Sequence, residues 1–253
     1  MSDRLALPGG LTGIDAAILA GGLGTRLRGV LGEVPKVLAP VAGRAFLDHL
    51  IDGLAGFGAR RLVLCLGYRA DQVVAHLAAR PPSAAEWIPV IESEPLGTAG
   101  ALRLARPRLG SDPVLVLNGD TFVDADLAGF ADRHRAAGAL ASLLCVRVED
   151  AGRYGRVERD ERGFVTGFVE KDPDYRGPGL ISAGFYLLSA LFLDRLTSLP
   201  GSSLERDVFS RLPPGTLRTE VARGGFLDIG TPESLAVAPL IVGSQGQSAL
   251  LNP

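Results

Sequence analysis

The stretch I-L-A-G-G-L-G-T-R-L-R-G-V-L-G-E-V-P-K, Ile18 to Lys36, is built to hold an anion. An apolar run stops at Gly21, Gly22 and Gly24; Arg26 follows at once, and Lys36 comes after a proline. Glycines let backbone N–H groups approach a ligand without Cβ interference, and successive amides of this kind cradle phosphate. Two cations beside such a nest fit a polyphosphate. A glycine cluster alone would read as a tight turn with surface cations; the cations at this spacing favour the ligand. The pattern is not a P-loop, because no G-K-[ST] closes it. Nor is it G-x-G-x-x-G, because Arg26 takes the last glycine's place.

Carboxylates supply the second set of candidates. Asp120 ends an apolar run in V-L-V-L-N-G-D-T, and Asp228 does so in G-F-L-D-I-G-T-P. Each alone reads equally well as a turn or cap residue. Together with a polyphosphate nest, two carboxylates from distant strands suit a Mg²⁺ ion clamped against phosphate oxygens. F-V-E-K adds Glu170 and Lys171 at a strand end, the first an acceptor for sugar hydroxyls and the second a phosphate ligand; a solvated strand end is the plain alternative. Arg153, Tyr154 and Gly155 in R-Y-G-R-V approach the same crevice. His49, His76 and His134 lie on helical segments and carry no catalytic signal, and no serine or cysteine is set beside a base. That absence is informative. If a sugar phosphate oxygen attacks the α-phosphorus of a nucleoside triphosphate, the nucleophile is already an anion and needs no general base. The work is alignment and charge neutralisation.

The elements that must position these residues alternate along the first half. Strands are expected at Asp15–Ala20, Arg61–Leu66, Trp87–Glu92 and Val114–Leu117, and helices at Ala45–Phe57, Ala70–Ala79, Thr98–Arg106 and Asp126–Ala137. Repeated β-α-β implies a largely parallel sheet with helices on both faces. After residue 139 the strands Ala139–Val148, Arg156–Arg159, Phe164–Glu170 and Leu180–Leu188 follow with little helix between them, and R-D-E-R-G at 159–163 suits a hairpin turn. Helices at Ser203–Leu212 and Pro232–Val242 and short strands at Leu217–Val221 and Gly225–Ile229 complete one α/β domain over 14–242. Ligands in such a sheet bind beyond the carboxyl ends of the parallel strands.

Composition limits the partners. The chain has 253 residues, 47% hydrophobic, with a net charge of −2 and no basic run, which disfavours nucleic acid. No span of about 18 apolar residues and no signal peptide is visible, so no membrane partner is expected. Cys65 and Cys145 sit in apolar runs and read as reduced core thiols, which suits the cytoplasm. Residues 1–13 and 243–253 are rich in Gly, Ser, Gln and Pro and are expected to be frayed, flexible termini.

The ordered motifs L-A-G-G-L-G-T-R-L…V-P-K, E-P-L-G-T-A-G-A, N-G-D-T, R-Y-G-R-V, F-V-E-K, I-S-A-G-F-Y-L-L and F-L-D-I-G-T-P resemble those of the sugar-1-phosphate nucleotidyltransferases over roughly residues 14–242. The resemblance implies a three-layer α/β/α sandwich with a Rossmann-like, mixed but mostly parallel sheet. It also implies Mg²⁺-dependent transfer with pyrophosphate as second product. By it, Leu19, Ala20, Gly21, Gly22, Gly24, Thr25, Arg26, Gly97 and Thr98 bind the nucleotide, Lys36 stabilises the transition state, and Asp120 and Asp228 hold the metal. Gly155, Glu170, Lys171 and Ser182 contact the sugar phosphate. Homodimers are common in the family.

Thymidylyl and uridylyl members commonly carry glutamine where this chain has Glu94. Guanine presents two adjacent donors that a carboxylate matches, so Glu94 points to GTP; a cap on the following helix at Thr98 is its structural alternative. The motifs look most like those of the D-glycero-α-D-manno-heptose 1-phosphate guanylyltransferases, and from the compact length the long C-terminal β-helix of some relatives is not expected. Ile181-Ser182-Ala183-Gly184 stands where I-N-G-G is expected in that group, which shortens one sugar-contacting side chain; Gly177–Gly179 and Glu205–Asp207 are further candidates for the sugar pocket. Mannose 1-phosphate with GTP, or another hexose with UTP or dTTP, is the same-class alternative. A non-catalytic nucleotide-sugar sensor would be expected to lack Arg26, Lys36 or a metal-binding Asp, and all are present. A dinucleotide oxidoreductase needs an acidic ribose ligand about 20 residues past the glycines; here that distance falls in the turn Ala39–Arg44.

Overall fold

A computed structural model describes residues 10–81 and 84–243. In chain order, β1 (Ala16–Ala20) leads through a single helical turn, α1 (Arg28–Leu31), and a small hairpin, β2 (Pro40–Val41) and β3 (Arg44–Ala45), to α2 (Phe46–Gly56). Next come β4 (Arg61–Leu66), α3 (Ala70–Ala78), β5 (Glu86–Ile91), α4 (Gly97–Ala105), β6 (Val114–Asn118), β7 (Thr121–Val123) and α5 (Leu127–Ala136). The second half supplies β8 (Ala141–Val148), β9 (Arg156–Arg159), β10 (Val165–Val169), β11 (Gly179–Leu188), α6 (Ala190–Leu196), β12 (Leu217–Ala222), β13 (Phe226–Asp228) and α7 (Pro232–Gly243).

Strands β5, β4, β1 and β6 lie side by side and parallel. β11 runs antiparallel against β6 and β8, and β12 is parallel to β8. β9 joins β11 at Ile181 opposite Arg156 and pairs antiparallel with β10. Side chains alternate across the sheet, as the strand period requires. Ala16, Ile18, Leu62, Leu64, Leu115 and Leu117 bury one face with Leu47, Ile51 and Leu54 of α2 and Phe130 of α5. Ala17, Val63, Cys65, Val114 and Val116 bury the other with Leu102 of α4 and Phe192 and Leu196 of α6. This is the expected three-layer sandwich with a mixed sheet.

A third apolar cluster decides the site. Leu227 and Ile229 flanking Asp228 pack with Phe46 and Leu50 of α2, Leu27 of the glycine-rich segment, and Leu235, Ala238 and Val242 of α7. It clamps β13 beside β7, where Asp228 pairs with Thr121.

Most expected elements form, Arg61–Leu66 and Arg156–Arg159 at the bounds read from sequence. The expected helix over 203–212 is instead a π-turn, Leu204–Val208, followed by a 3-10 turn, Phe209–Arg211. α6 and β7 come in addition. The expected frayed stretches lie mostly outside the described residues. Its described part, 10–13, contributes to the core: Leu11 is fully buried, and its N–H donates to the Phe57 carbonyl at 3.0 Å. Both cysteines are free and buried. Burial, with the Glu92 charge, pushes the Cys65 thiol up to about 12, and burial also raises Cys145. Among the described residues no helix is long and apolar enough to cross a membrane.

Leu115 is fully buried between β1 and β11. Leu115→Ala is expected to lower unfolding free energy by about 2–5 kcal/mol, read from denaturant melts; a change under about 1 kcal/mol would contradict this packing.

Candidate active site

The carboxyl ends of β1 and β6 lie together because the strands are parallel, with Leu19 opposite Asn118. Gly119 closes the gap: its N–H donates to Leu19 O at 2.8 Å, and a Cβ there would sit 3.0 Å from that oxygen. The chain can therefore turn tightly and deliver Asp120 against the glycine-rich segment. That segment is also shaped by contact. Gly24 is left-handed (φ 58°), and a Cβ on it would lie 3.3 Å from Lys36 Cβ. A Cβ on Gly21 would lie 2.6 Å from Glu92 Oε1, so the Glu92 side chain would have to shift to admit one. Gly22 is exposed with open space around it, which leaves its backbone accessible. The glycines thus let Lys36 and Glu92 close in from two sides while the loop stays bare toward the cleft.

Lys36 is the centre of the charge arrangement. Its Nζ donates to Asp120 Oδ2 at 2.5 Å and lies 3.7 Å from Asp228 Oδ1, with the lysine side chain only 12% exposed. Asp120 and Asp228 are far apart in sequence, and the β7–β13 ladder brings them together: Asp228 pairs with Thr121, and the Ile229 N–H donates to Asp120 O at 3.0 Å. Burial, then the Asp120 charge, raises the Asp228 carboxyl above its usual range, while Lys36, the Gly230 N–H and Arg26 pull it down. Arg26 is exposed, yet its guanidinium reaches within 3.1 Å of the position a Gly230 Cβ would occupy, beside Asp228.

Three clefts adjoin here, and Asp120 lines all of them. One of about 230 Å³ holds Leu19, Ala20, Gly22, Gly24, Thr25, Arg26 and Lys36. A second, of about 320 Å³, is walled by Gly21, Gly22, Glu92, Gly97, Thr98 and Asn118. The third, of about 200 Å³, has Tyr154, Gly155, Ser182, Glu205 and Asp228. A larger cavity, of about 390 Å³ beside Leu54, Phe57 and Phe122, contains none of the expected site residues.

The structure thus assembles Leu19, Ala20, Gly21, Gly22, Gly24, Thr25, Arg26, Lys36, Gly97, Thr98, Asp120, Gly155, Ser182 and Asp228 around one centre. Gly97 is left-handed (φ 70°), and a Cβ there would meet Ser202 O at 2.5 Å. Thr98 does not receive a cap from Glu94; its hydroxyl accepts the Leu204 N–H at 2.8 Å.

Three residues are placed differently. Glu94, expected to read the base, is exposed in the turn between β5 and α4 and lines none of these clefts. Glu92, immediately after β5, occupies the wall instead, and its Oε2 accepts the Leu96 N–H at 3.2 Å. The rule that ligand-facing residues follow parallel strand ends points to Glu92. Glu170 and Lys171 are exposed at the rim just past β10, outside the cleft lining; their neighbour Val169 O lies 3.4 Å from where a Gly155 Cβ would be. Glu205 is the further polar wall of the third cleft.

Among the described residues no group of three His, Cys, Asp or Glu could hold a metal unaided. Two neighbouring carboxylates nevertheless match a Mg²⁺-type ion, which takes one or two carboxylates and completes its shell with water and substrate phosphate. Burial is the larger cause of the raised Asp228 carboxyl; the Asp120 charge that adds to it is charge such an ion would relieve.

A nucleotidyl transferase family model matches residues 15–243. The chain belongs to the nucleotidyl transferase family. Mannose-1-phosphate guanylyltransferase catalytic subunit beta of Drosophila melanogaster is 35% identical over 228 residues, covering 87% of this chain and 60% of that protein. Mannose-1-phosphate guanylyltransferase of Mycobacterium tuberculosis is 33% identical over 248 residues, 92% of this chain and 69% of that one. The chain therefore spans about 60% of the length of the fly relative. HddC from Yersinia pseudotuberculosis, one of whose crystal structures is complexed with GMP-PN, superposes with a TM-score of 0.80 at 33% identity, over 90% of this chain and 98% of that one. The resemblance of the motifs to sugar-1-phosphate nucleotidyltransferases, and the fold it implied, stand.

A carboxyl raised in the folded state contributes stability that is fully present below its ordinary value of 3.8 and is lost as pH rises through the native value. Asp228→Asn should therefore melt higher than the parent at neutral pH in metal-free buffer. The gain should shrink as pH falls toward the ordinary carboxylate range. A variant that melts lower at neutral pH would contradict the assigned burial and repulsion.

Proposed function

We propose that the protein transfers GMP from GTP to a sugar 1-phosphate of manno configuration, with D-glycero-α-D-manno-heptose 1-phosphate as the favoured acceptor, releasing pyrophosphate. The observation that carries the reaction type is Asp120 as the common wall of three adjoining clefts, held against Lys36 and beside Asp228. In this reading the triphosphate lies along the amides of Gly21–Thr25, and Arg26 and Lys36 neutralise its charge. The base enters the cleft of Glu92, Gly97 and Thr98; the sugar enters the cleft of Tyr154, Gly155 and Ser182. A phosphate oxygen of the sugar 1-phosphate attacks the α-phosphorus. The new P–O bond forms as the bond to the β-phosphate oxygen breaks, and pyrophosphate leaves with that electron pair. No proton has to be removed, which suits a site with no histidine among the residues lining these clefts. Asp120 and Asp228 would hold Mg²⁺, which when bound supplies positive charge at the phosphates.

Guanine is supported by the guanylyltransferase relatives and by the HddC complex with GMP-PN. It does not rest on Glu94. The heptose reading rests on the motif likeness, and Ser182 leaves room where a longer asparagine is expected. Mannose 1-phosphate is the second reading, favoured by the names of the sequence relatives.

Pyrophosphate release with Mg²⁺ should be greatest for GTP, among GTP, UTP, dTTP and ATP, when heptose, mannose and glucose 1-phosphates are compared, and heptose should lead. A GTP-plus-mannose maximum would replace the sugar and keep the base; a UTP or dTTP maximum would overturn the guanine reading.

A further inference from the structure

Helix α7 is apolar on every side. Its twelve residues, P-E-S-L-A-V-A-P-L-I-V-G, carry one charge, Glu233, in the first turn. Leu235, Ala238 and Val242 turn inward to the cluster that fixes β13. Ala236, Val237, Pro239 and Leu240 face outward, with Val237 45% and Leu240 77% exposed. Among the described residues no other large apolar side chain is as exposed as Leu240. A surface helix ordinarily turns a polar face to water, and a helix that is apolar all round is ordinarily covered all round.

The helix also depends on packing more than most. Pro239 lies in its interior, offers no N–H to the Leu235 carbonyl, and crowds that turn with its ring. Val237, Ile241 and Val242 are β-branched and add little helix propensity. Local preference therefore works against α7, and contacts on its faces must hold it.

The residues that follow α7 suit the open face. The chain continues as S-Q-G-Q-S over 244–248, a polar spacer, and then as Ala249, Leu250 and Leu251. Residues 244–253 carry no charge, and neither does the face made by Ala236, Val237, Pro239 and Leu240. The reach is sufficient. Seven residues extend up to about 23 Å at roughly 3.3 Å each, whereas Val237 lies only about 9 Å from the helix end at about 1.5 Å per residue. A second copy is the poorer occupant, because four side chains on one short helix fall well short of the roughly 800 Å² per partner that a stable dimer buries. A tethered segment needs far less contact, since a short linker holds it at an effective concentration on the order of millimolar.

We propose that the outer face of α7 is the docking site of the chain's own residues 249–251. The chain reverses after α7 and lays Leu250 and Leu251 on Val237 and Leu240. This covers from outside the helix whose inner face clamps β13, and it is independent of the reaction assigned above.

The test is thermal melting of the full chain as a double-mutant cycle. Leu240→Ala should lower Tm by about 2–6 °C in the parent, the loss expected for uncovering one leucine. In a chain already carrying Leu250→Ser and Leu251→Ser, the same substitution should lower Tm by less than about 1 °C, because the contact is already gone. Equal shifts in the two backgrounds, or no shift in the parent, would overturn the proposal. A cross-link checks it without relying on stability. Leu240→Cys paired with Leu250→Cys or Leu251→Cys should oxidise to an intrachain disulfide that migrates as a compact monomer on a non-reducing gel; Cys65 and Cys145 are buried and do not compete. A disulfide-linked dimer, or a parent Tm that rises with protein concentration, would assign the face to a second copy and overturn the proposal. Failure of both pairs to cross-link would also overturn it.

Discussion

Lys36 between Asp120 and Asp228 is the interaction on which the site depends. Burial makes Asp228 costly to ionise, and the neighbouring Asp120 carboxylate adds repulsion to that cost. One ammonium at 2.5 Å from the first and 3.7 Å from the second makes the arrangement tenable. Arg26 adds a second, more distant positive charge. Such a cluster is a poor stabilising device, because desolvation offsets much of its attraction. In the proposed reaction its value would lie in preorganisation: charges already oriented where those of a polyphosphate and a divalent ion are to be neutralised.

The scaffold serves that cluster from three directions. Parallel strands bring the glycine-rich segment and Asp120 to one edge. A short antiparallel ladder, pinned by the apolar residues on either side of Asp228, adds the second carboxylate. The second half of the chain wraps the remaining wall with Tyr154, Gly155, Ser182 and Glu205. Glycine recurs at these junctions because backbone passes close to backbone or to a charged side chain, as at Gly97 against Ser202 and Gly119 against Leu19.

Much of this was legible in sequence because the governing periods are local. Arg61–Leu66 is a continuous apolar run with sharp ends, and α2 carries a clean helical stripe, so both were readable. β7 was not: three residues show no period, and the strand exists only because β13 pairs with it. α6 had a readable start, since Ser189 Oγ accepts the Phe192 N–H at 3.1 Å, but its seven residues offer little pattern. The turn at 204–208 carries helical spacing, yet its conformation follows from anchors at Thr98 and Asp207. In the site, Asp120, Asp228, Lys36 and the glycines were marked by local motifs. Glu92 and Glu94 are both acidic and two residues apart in E-S-E-P, and only the strand's end separates the one facing the cleft from the one facing solvent.

The central claim is that Asp120 acts where nucleotide and sugar meet. Its most direct test is Asp120→Asn, with turnover and nucleotide affinity measured on the same preparation. The account predicts turnover falling by about 10²–10³-fold or more while GTP still binds within a few-fold of the parent, because phosphate contacts from the amides, Arg26 and Lys36 remain. An Asp120→Asn enzyme with parental turnover would contradict it.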